Sequence, residues 1–217
     1  MSSEQPKVPE IAVMVSGRGS NLDAIFRAIE RGDLHARITL VISSRADAPA
    51  LDIARQYGTA ARVISPKSFA SRAEAGVAIV AALQDAQVNA VALAGYKPIL
   101  DASVIAAYPN RILNVHPSLL PAFAGGMAPK PQTDALAAGV KVSGCTVHIV
   151  TTDVDAGPIV AQAAVPVLDD DTVESLSARI LVEEHRILPM ALEWLLSGRL
   201  RIGDGRTWLA PAAATPA

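Results

Sequence analysis

Ile11-Ala12-Val13-Met14-Val15 runs without a break into Ser16-Gly17-Arg18-Gly19-Ser20-Asn21. The first five residues are a short apolar run ended by a turn signal, the pattern of a buried strand. Beyond the turn, Leu22, Ile25, Phe26 and Ile29 recur at helical spacing until Gly32 stops the pattern. Strand, glycine turn and helix in that order open a doubly wound α/β sheet. The helix start points bare N–H groups at the turn and makes an anion site, most naturally for a phosphate. A tight turn that needs glycine only for its backbone shape is the plainer alternative. A dinucleotide fingerprint does not fit, because the third glycine of G-x-G-x-x-G would fall at Leu22. The second strand, Ile38 to Ile42, also ends in Ser43-Ser44-Arg45 and offers no acid for a ribose hydroxyl. A phosphate on a small nucleotide is the better reading.

The alternation continues downstream. Asp47 to Tyr57 reads as the second helix, closed by Gly58, and Arg62 to Ile64 as the third strand. Ser68 to Ala86 carries Val77, Val80 and Leu83, the stripe of a surface helix. Val88 to Ala94 is continuously apolar, as a strand buried on both faces should be, and ends in the loop Gly95-Tyr96-Lys97-Pro98-Ile99-Leu100. Asp101 to Ala107 is a short helix, and Arg111 leads into the next strand. Such a β/α order predicts a right-handed, mostly parallel sheet. After Pro121, the Gly/Pro-rich stretch Ala124 to Pro131 predicts a mobile loop over the site, followed by a helix from Thr133 to Ala138. Val142 to Val150 alternates, with Cys145, Val147 and Ile149 on one face and Thr146 and His148 on the other. It is close-coupled to Ile159 to Val167 through a polar turn, so an antiparallel hairpin is expected at this side of the sheet. Asp171-Thr172-Val173-Glu174 is a capping-box-like start for a long helix, which Pro189 should kink or divide. Leu200 to Leu209 suggests a small terminal hairpin. The simplest parse is one domain over residues 1–217, with 1–10 and 210–217 as disordered tails.

The totals narrow the function. With 217 residues and a 51% hydrophobic fraction, the chain can build a core, filled by Ala, Val, Leu and Ile because aromatics are scarce. A formal charge of −2 and a pI near 6.1 argue against a nucleic-acid or membrane-surface binder. Cys145 is the single cysteine, which fits a reducing, cytoplasmic compartment. The four histidines lie far apart, without the spacing of a metal site, so no metal is expected. Small-molecule partners are expected, while monomer and homodimer both remain open.

The chemistry concentrates in Asn114-Val115-His116-Pro117-Ser118-Leu119-Leu120-Pro121. Asn114 and His116 stand two apart on a strand and point to one side. Pro117 then ends the ladder. An amide donor and an imidazole are thus delivered together to a strand tip, where open α/β sheets bind ligands. An amide that can donate to an oxyanion, beside a group that can carry a proton, is equipment for acyl transfer. A structural His and Asn in a polar turn are the plain alternative. Asp155, on the turn after the later strand, would favour the imidazolium if it lay near His116. Taken alone, it is an ordinary turn residue before Gly157-Pro158.

Together, Ser16 to Leu22, Leu93-Ala94-Gly95-Tyr96, Asn114 to Pro121 and Asp155-Ala156-Gly157-Pro158-Ile159 resemble the phosphoribosylglycinamide formyltransferases, in the same order and over roughly Ile11 to Leu209. The resemblance implies a Rossmann-like three-layer formyltransferase fold and direct transfer of a formyl group from 10-formyltetrahydrofolate to the glycinamide amine, in de novo purine biosynthesis. It implies that Gly19, Ser20 and Asn21 bind the substrate phosphate. Leu181, Val182, Glu183 and Glu184 would contact the rest of that nucleotide, with Glu184 as ribose acceptor. Arg72, Lys97, Pro98, Ile99, Leu100, Thr151, Thr152, Asp153, Val154 and Asp155 would line the folate site together with Asn114. Asn114 would donate to the oxyanion, and His116, paired with Asp155, would stabilise it and protonate the departing folate nitrogen. Asp155, through a water, would help remove the amine proton. His148 matches a family histidine and is expected behind these three.

Two departures stand out. The family usually has Met-Arg where this chain has Lys97-Pro98, and the stretch Ala124-Gly125-Gly126-Met127 lengthens a loop that commonly carries histidine. Formylation of another amine, hydrolysis of formyltetrahydrofolate and an idle nucleotide-binding module are the rival readings.

Overall fold

The structure, a computed structural model, describes residues 8–211. Strands β1 (Glu10–Val15), β2 (Arg37–Ser43), β3 (Ala60–Val63), β4 (Ala90–Leu93), β5 (Ile112–His116), β6 (Val142–Ile149) and β7 (Ile159–Pro166) form one sheet in the order β3-β2-β1-β4-β5-β6-β7. The pairings from β3 through β5 are parallel, whereas β6 runs antiparallel to both β5 and β7. The chain is therefore α/β with a mostly parallel sheet and the expected hairpin at one side. A separate hairpin, β8 (Leu200–Gly203) with β9 (Arg206–Leu209), follows.

Three layers arise from alternation in the central strands. Ile11, Val13 and Val15 face one core with Ala90, Ala92, Leu113, Val115, Cys145 and Val147. Ala12 and Met14 face a second core with Val91, Leu93 and Ile112. Helices α1 (Ser20–Glu30), α2 (Ala50–Gln56), α5 (Lys130–Ala137) and α6 (Val173–Leu196) cover the first face. Helices α3 (Arg72–Asp85) and α4 (Ala102–Ala107) cover the second. With both faces covered, near-continuous apolar strands are what a parallel sheet requires.

Several sequence expectations need correction. Glu10, assigned to a disordered tail, is the buried first residue of β1 and is held by Arg37 at 2.7 Å. At the other end, Ala210 donates its N–H to the Arg199 carbonyl at 2.8 Å. The rest of the expected tails, 1–7 and 212–217, lies outside the described residues. The helix expected from Ser68 starts at Arg72, where Ser71 caps it, and Val77 stands 66% exposed while Ile79 and Leu83 face the core. Thr172 and Ser175, rather than the acidic residues, form the capping box of α6, and Asp171 instead receives Arg179 at 2.7 Å. Pro189 neither divides nor ends α6. Proline inside a helix costs about 3 kcal/mol, and the buried row Ile187, Leu188, Ala191, Leu192 and Leu195 more than offsets it. Lys130 and Pro131, expected in the loop, belong to α5.

Candidate active site

The carboxyl ends of β1, β4 and β5 lie side by side, with Met14 beside Leu93 and Leu93 beside Asn114. Three segments meet on that edge: the glycine turn, the Gly95–Leu100 loop and the Asn114–His116 tip. The turn is shaped by Gly19, whose φ of +83° suits glycine. A Cβ there would also sit 2.7 Å from the Ala50 Cβ, so close packing on α2 reinforces the requirement. No side chain caps α1. The amides at its start are thus free to meet an anion.

On β5, Asn114 and His116 point to the same face, as their spacing predicted, and β6 brings His148 opposite Asn114 and Thr146 opposite His116. Pro117 ends the strand, and the segment after it is pinned from β6. The Thr146 hydroxyl donates to the Ser118 carbonyl at 2.7 Å and accepts from the Leu120 amide at 3.0 Å. Asp155 reaches the site because Gly157 lets the β6–β7 turn lie against the end of β6, where an added Cβ would meet the Ile149 carbonyl oxygen. Its carboxylate Oδ2 lies 3.3 Å from His116 Nδ1. Asn114 and His116 thus gain a neighbour from far along the chain, His116 being buried and Asn114 and Asp155 half-buried.

His148 has a more specific place than the sequence suggested. Its Nδ1 lies 3.0 Å from the Ile149 carbonyl, which can only accept, so Nδ1 carries a proton. Burial pushes the imidazole pKa down, although Asp155 pulls the other way, and the ring is neutral. Nε2 is therefore a bare acceptor and takes an N–H from Asn114 Nδ2 at 3.1 Å. This settles which end of the Asn114 amide is nitrogen and leaves its second N–H without a partner among the described residues. His148→Ala is expected to lower kcat by about 3- to 10-fold, the worth of one orienting hydrogen bond, with substrate KM values unchanged. Equal loss in kcat and rise in KM would reject the orienting role.

The loop after Pro121 closes over these groups through backbone atoms, a contact that no sequence pattern announced. His116 Nε2 donates to the Phe123 carbonyl at 3.2 Å, and the Gly125 amide donates to Asp155 Oδ2 at 2.8 Å.

The remaining expected site residues divide. Asn21 Nδ2 donates to Glu184 Oε2 at 2.7 Å, joining the glycine turn to α6. Burial pushes the Glu184 carboxyl up to about 7, despite that hydrogen bond. Leu181 is half-buried, Val182 is 66% exposed, and Glu183 is paired with Arg186 at 2.7 Å. Leu100 packs into the second core and is 7% exposed. Arg72 adjoins the same loop through Asp101 at 3.8 Å. Pro98, Thr151 and Asp155 are half-buried, Lys97, Thr152 and Asp153 exposed, and Ile99 and Val154 offer apolar surface on the loops flanking the β5 tip. Two cavities of about 480 and 320 Å³ lie elsewhere, near Asn89 and Arg111 and between α1 and α6. Neither is lined by Asn114, His116 or Asp155. Among the described residues, no group of three His, Cys, Asp or Glu could hold a metal ion, and no helix is long and apolar enough to cross a membrane.

The model of the formyl transferase family matches residues 9–192. The chain belongs to the formyl transferase family. It is 40% identical over 200 residues to the phosphoribosylglycinamide formyltransferase of Haemophilus influenzae, covering 92% of this chain and 93% of that protein. It superimposes on the crystal structure of glycinamide ribonucleotide transformylase 1 from Symbiobacterium toebii with a TM-score of 0.92 and 46% identity, covering 97% and 98% of the two chains. It is also 44% identical over 202 residues to the trifunctional purine biosynthetic protein adenosine-3 of Bos taurus. That match takes in 93% of this chain but only 20% of the relative's length.

Proposed function

We propose that residues 1–217 act as one formyltransferase domain that moves the formyl group of 10-formyltetrahydrofolate to the amine of 5'-phosphoribosylglycinamide, in the cytoplasmic synthesis of purines. The Asn114–His116–Asp155 cluster at the strand tip carries this reading. The amine lone pair attacks the formyl carbon, and the carbonyl π pair moves onto oxygen. The free N–H of Asn114 and the imidazolium of His116 stabilise that oxyanion. The oxyanion's pair then re-forms the carbonyl as the bond from carbon to the folate nitrogen breaks, the bonding pair stays on nitrogen, and His116 supplies the proton. Asp155 holds the imidazolium and, through a water, takes the proton shed by the attacking amine. In the closed loop, His116 Nε2–H is spent on the Phe123 carbonyl. Incoming substrate must take that donor over.

The binding roles follow the same geometry. The uncapped start of α1, with Gly19, Ser20 and Asn21, suits the phosphate. Glu184 suits the ribose hydroxyls, and Leu181, Val182 and Glu183 border it. Ile99 and Val154 give apolar cover for a flat heteroaromatic ring, between Lys97, Pro98, Leu100 and Arg72 on one side and Thr151, Thr152 and Asp153 on the other. The nucleotide thus approaches from the α1/α6 side and the donor from the α3/α4 side, meeting over β5.

Mixing the protein with 10-formyltetrahydrofolate and each of several amines, while following folate absorbance, tests the reading. Turnover is expected only with glycinamide ribonucleotide. Turnover without any amine would instead indicate a hydrolase, and turnover with a different amine another transferase.

A further inference from the structure

The hydroxyl of Ser16 lies where three strand tips meet. Ser16 follows β1 and is buried, its Oγ 2.6 Å from the Oγ of Ser44, the buried residue that follows β2. The same Oγ accepts the backbone N–H of Lys97, beyond β4, at 2.8 Å. Among the described residues, this is the one hydrogen bond tying the backbone of Gly95–Leu100 to the rest of the protein. Pro98 comes next and has no N–H to offer. On either side of Lys97 and Pro98, the loop is held by the buried Tyr96 and Leu100 side chains, and beyond it by the Arg72–Asp101 pair. Within that apolar frame, the Ser16 hydroxyl is the polar tie that fixes the Lys97-Pro98-Ile99 segment relative to the glycine turn that follows Ser16. Its own proton is free to go to Ser44, so the site is satisfied without water.

We propose that Ser16 is a positioning residue: it holds the Lys97–Leu100 loop, and with it the formyl-donor subsite, in fixed register with the phosphate turn. The assignment rests on the functional reading above for what the loop binds. Ser16 touches neither substrate and acts through the Lys97 amide. A hydroxyl that merely satisfied the core would affect both substrates alike or neither, whereas a loop anchor affects the donor alone.

The test compares the wild type with Ser16→Ala and Ser44→Ala. In Ser16→Ala, the Lys97 amide is expected to exchange hydrogen at least about 10-fold faster by NMR, and the KM for 10-formyltetrahydrofolate to rise about 5- to 10-fold. The KM for glycinamide ribonucleotide and the saturated kcat should stay within about twofold. Ser44→Ala keeps the Lys97 bond and should leave the donor KM within about twofold. An unchanged donor KM in Ser16→Ala, or a parallel rise in both KM values, overturns the proposal. So does a rise in Ser44→Ala equal to that in Ser16→Ala, which would point to packing of the serine pair. If the wild type binds 10-formyltetrahydrofolate without transferring its formyl group, the functional reading fails while the same comparison, made on Kd by fluorescence quenching, still decides the role of Ser16. If it does not bind the donor at all, both fall.

Discussion

Asn114→Ala is expected to lower kcat about 100- to 1000-fold, the usual cost of removing one preorganised donor to an oxyanion. The expectation depends on preorganisation, which can be traced atom by atom. The neutral His148 ring spends its Nδ1 proton on the Ile149 carbonyl and presents Nε2 to the Asn114 amide. One N–H of Asn114 is consumed in that contact, and the other has a fixed direction before substrate arrives. Nothing need reorganise as charge develops on the formyl oxygen. Alanine removes the donor while leaving β5 paired on both sides, so the thermal midpoint should barely move. Asn114→Asp keeps the shape but sets an acceptor, charged when ionised, against the oxyanion, and should lose at least as much. Steady-state kinetics with both substrates, alongside thermal unfolding, make the check. Activity within several-fold of wild type in both variants would remove Asn114 from the mechanism.

The contrast between this cluster and its surroundings explains what the sequence could and could not disclose. Asn114 and His116 were legible because strand periodicity fixes their common face and proline fixes where the strand stops. The sheet was legible for a related reason: β1 and β4 are near-continuously apolar, and the turn between β1 and α1 demands glycine. For Asp155 the sequence offered the residue type but not its nearness to His116, since its approach depends on Gly157 meeting the Ile149 carbonyl, a long-range contact without a local signature. The exact partner of His148 was hidden for a similar reason, because antiparallel register between β5 and β6 decides it. The ties from Phe123 and Gly125 run through backbone atoms, which every residue type carries, so composition is silent about them. The same holds for Lys97 and Ser16. Where tertiary packing overrode local preference, the expectation failed in part, as at Pro189, which the buried face of α6 carries through without dividing the helix, and at Val77, the one member of the expected α3 stripe that faces solvent while Val80 and Leu83 pack on the core.

Glu184→Gln is expected to make the protein more stable and a poorer enzyme, with both effects depending on pH. The carboxyl is buried between α1 and α6, and burial raises it to about 7 against 4.5 for the free group. Between those values the folded protein holds a proton that the unfolded chain has released. Stability therefore falls as pH rises from about 4.5 to about 7 and stays reduced above that. The penalty above pH 7 is on the order of 3 kcal/mol. Glutamine presents the same carbonyl oxygen to the Asn21 amide, so the link from the glycine turn to α6 survives while the penalty disappears. Denaturant unfolding of the two proteins should coincide near pH 4.5 and separate progressively up to pH 8, with the variant the more stable. For function the sign reverses. A carboxylate accepts ribose hydroxyls more strongly than an amide, so the variant's KM for glycinamide ribonucleotide should be about 10- to 100-fold higher above pH 7. In the wild type, that KM should fall as pH rises through 7 and the group ionises, whereas in the variant it should stay flat across the same range. A stability difference independent of pH would show that the buried carboxyl titrates normally. A nucleotide KM unaffected by the substitution would show that the ribose lies elsewhere. The gain in stability and the loss in binding share one cause: a charge held out of water, costly to the folded chain and available to the hydroxyls of a bound sugar.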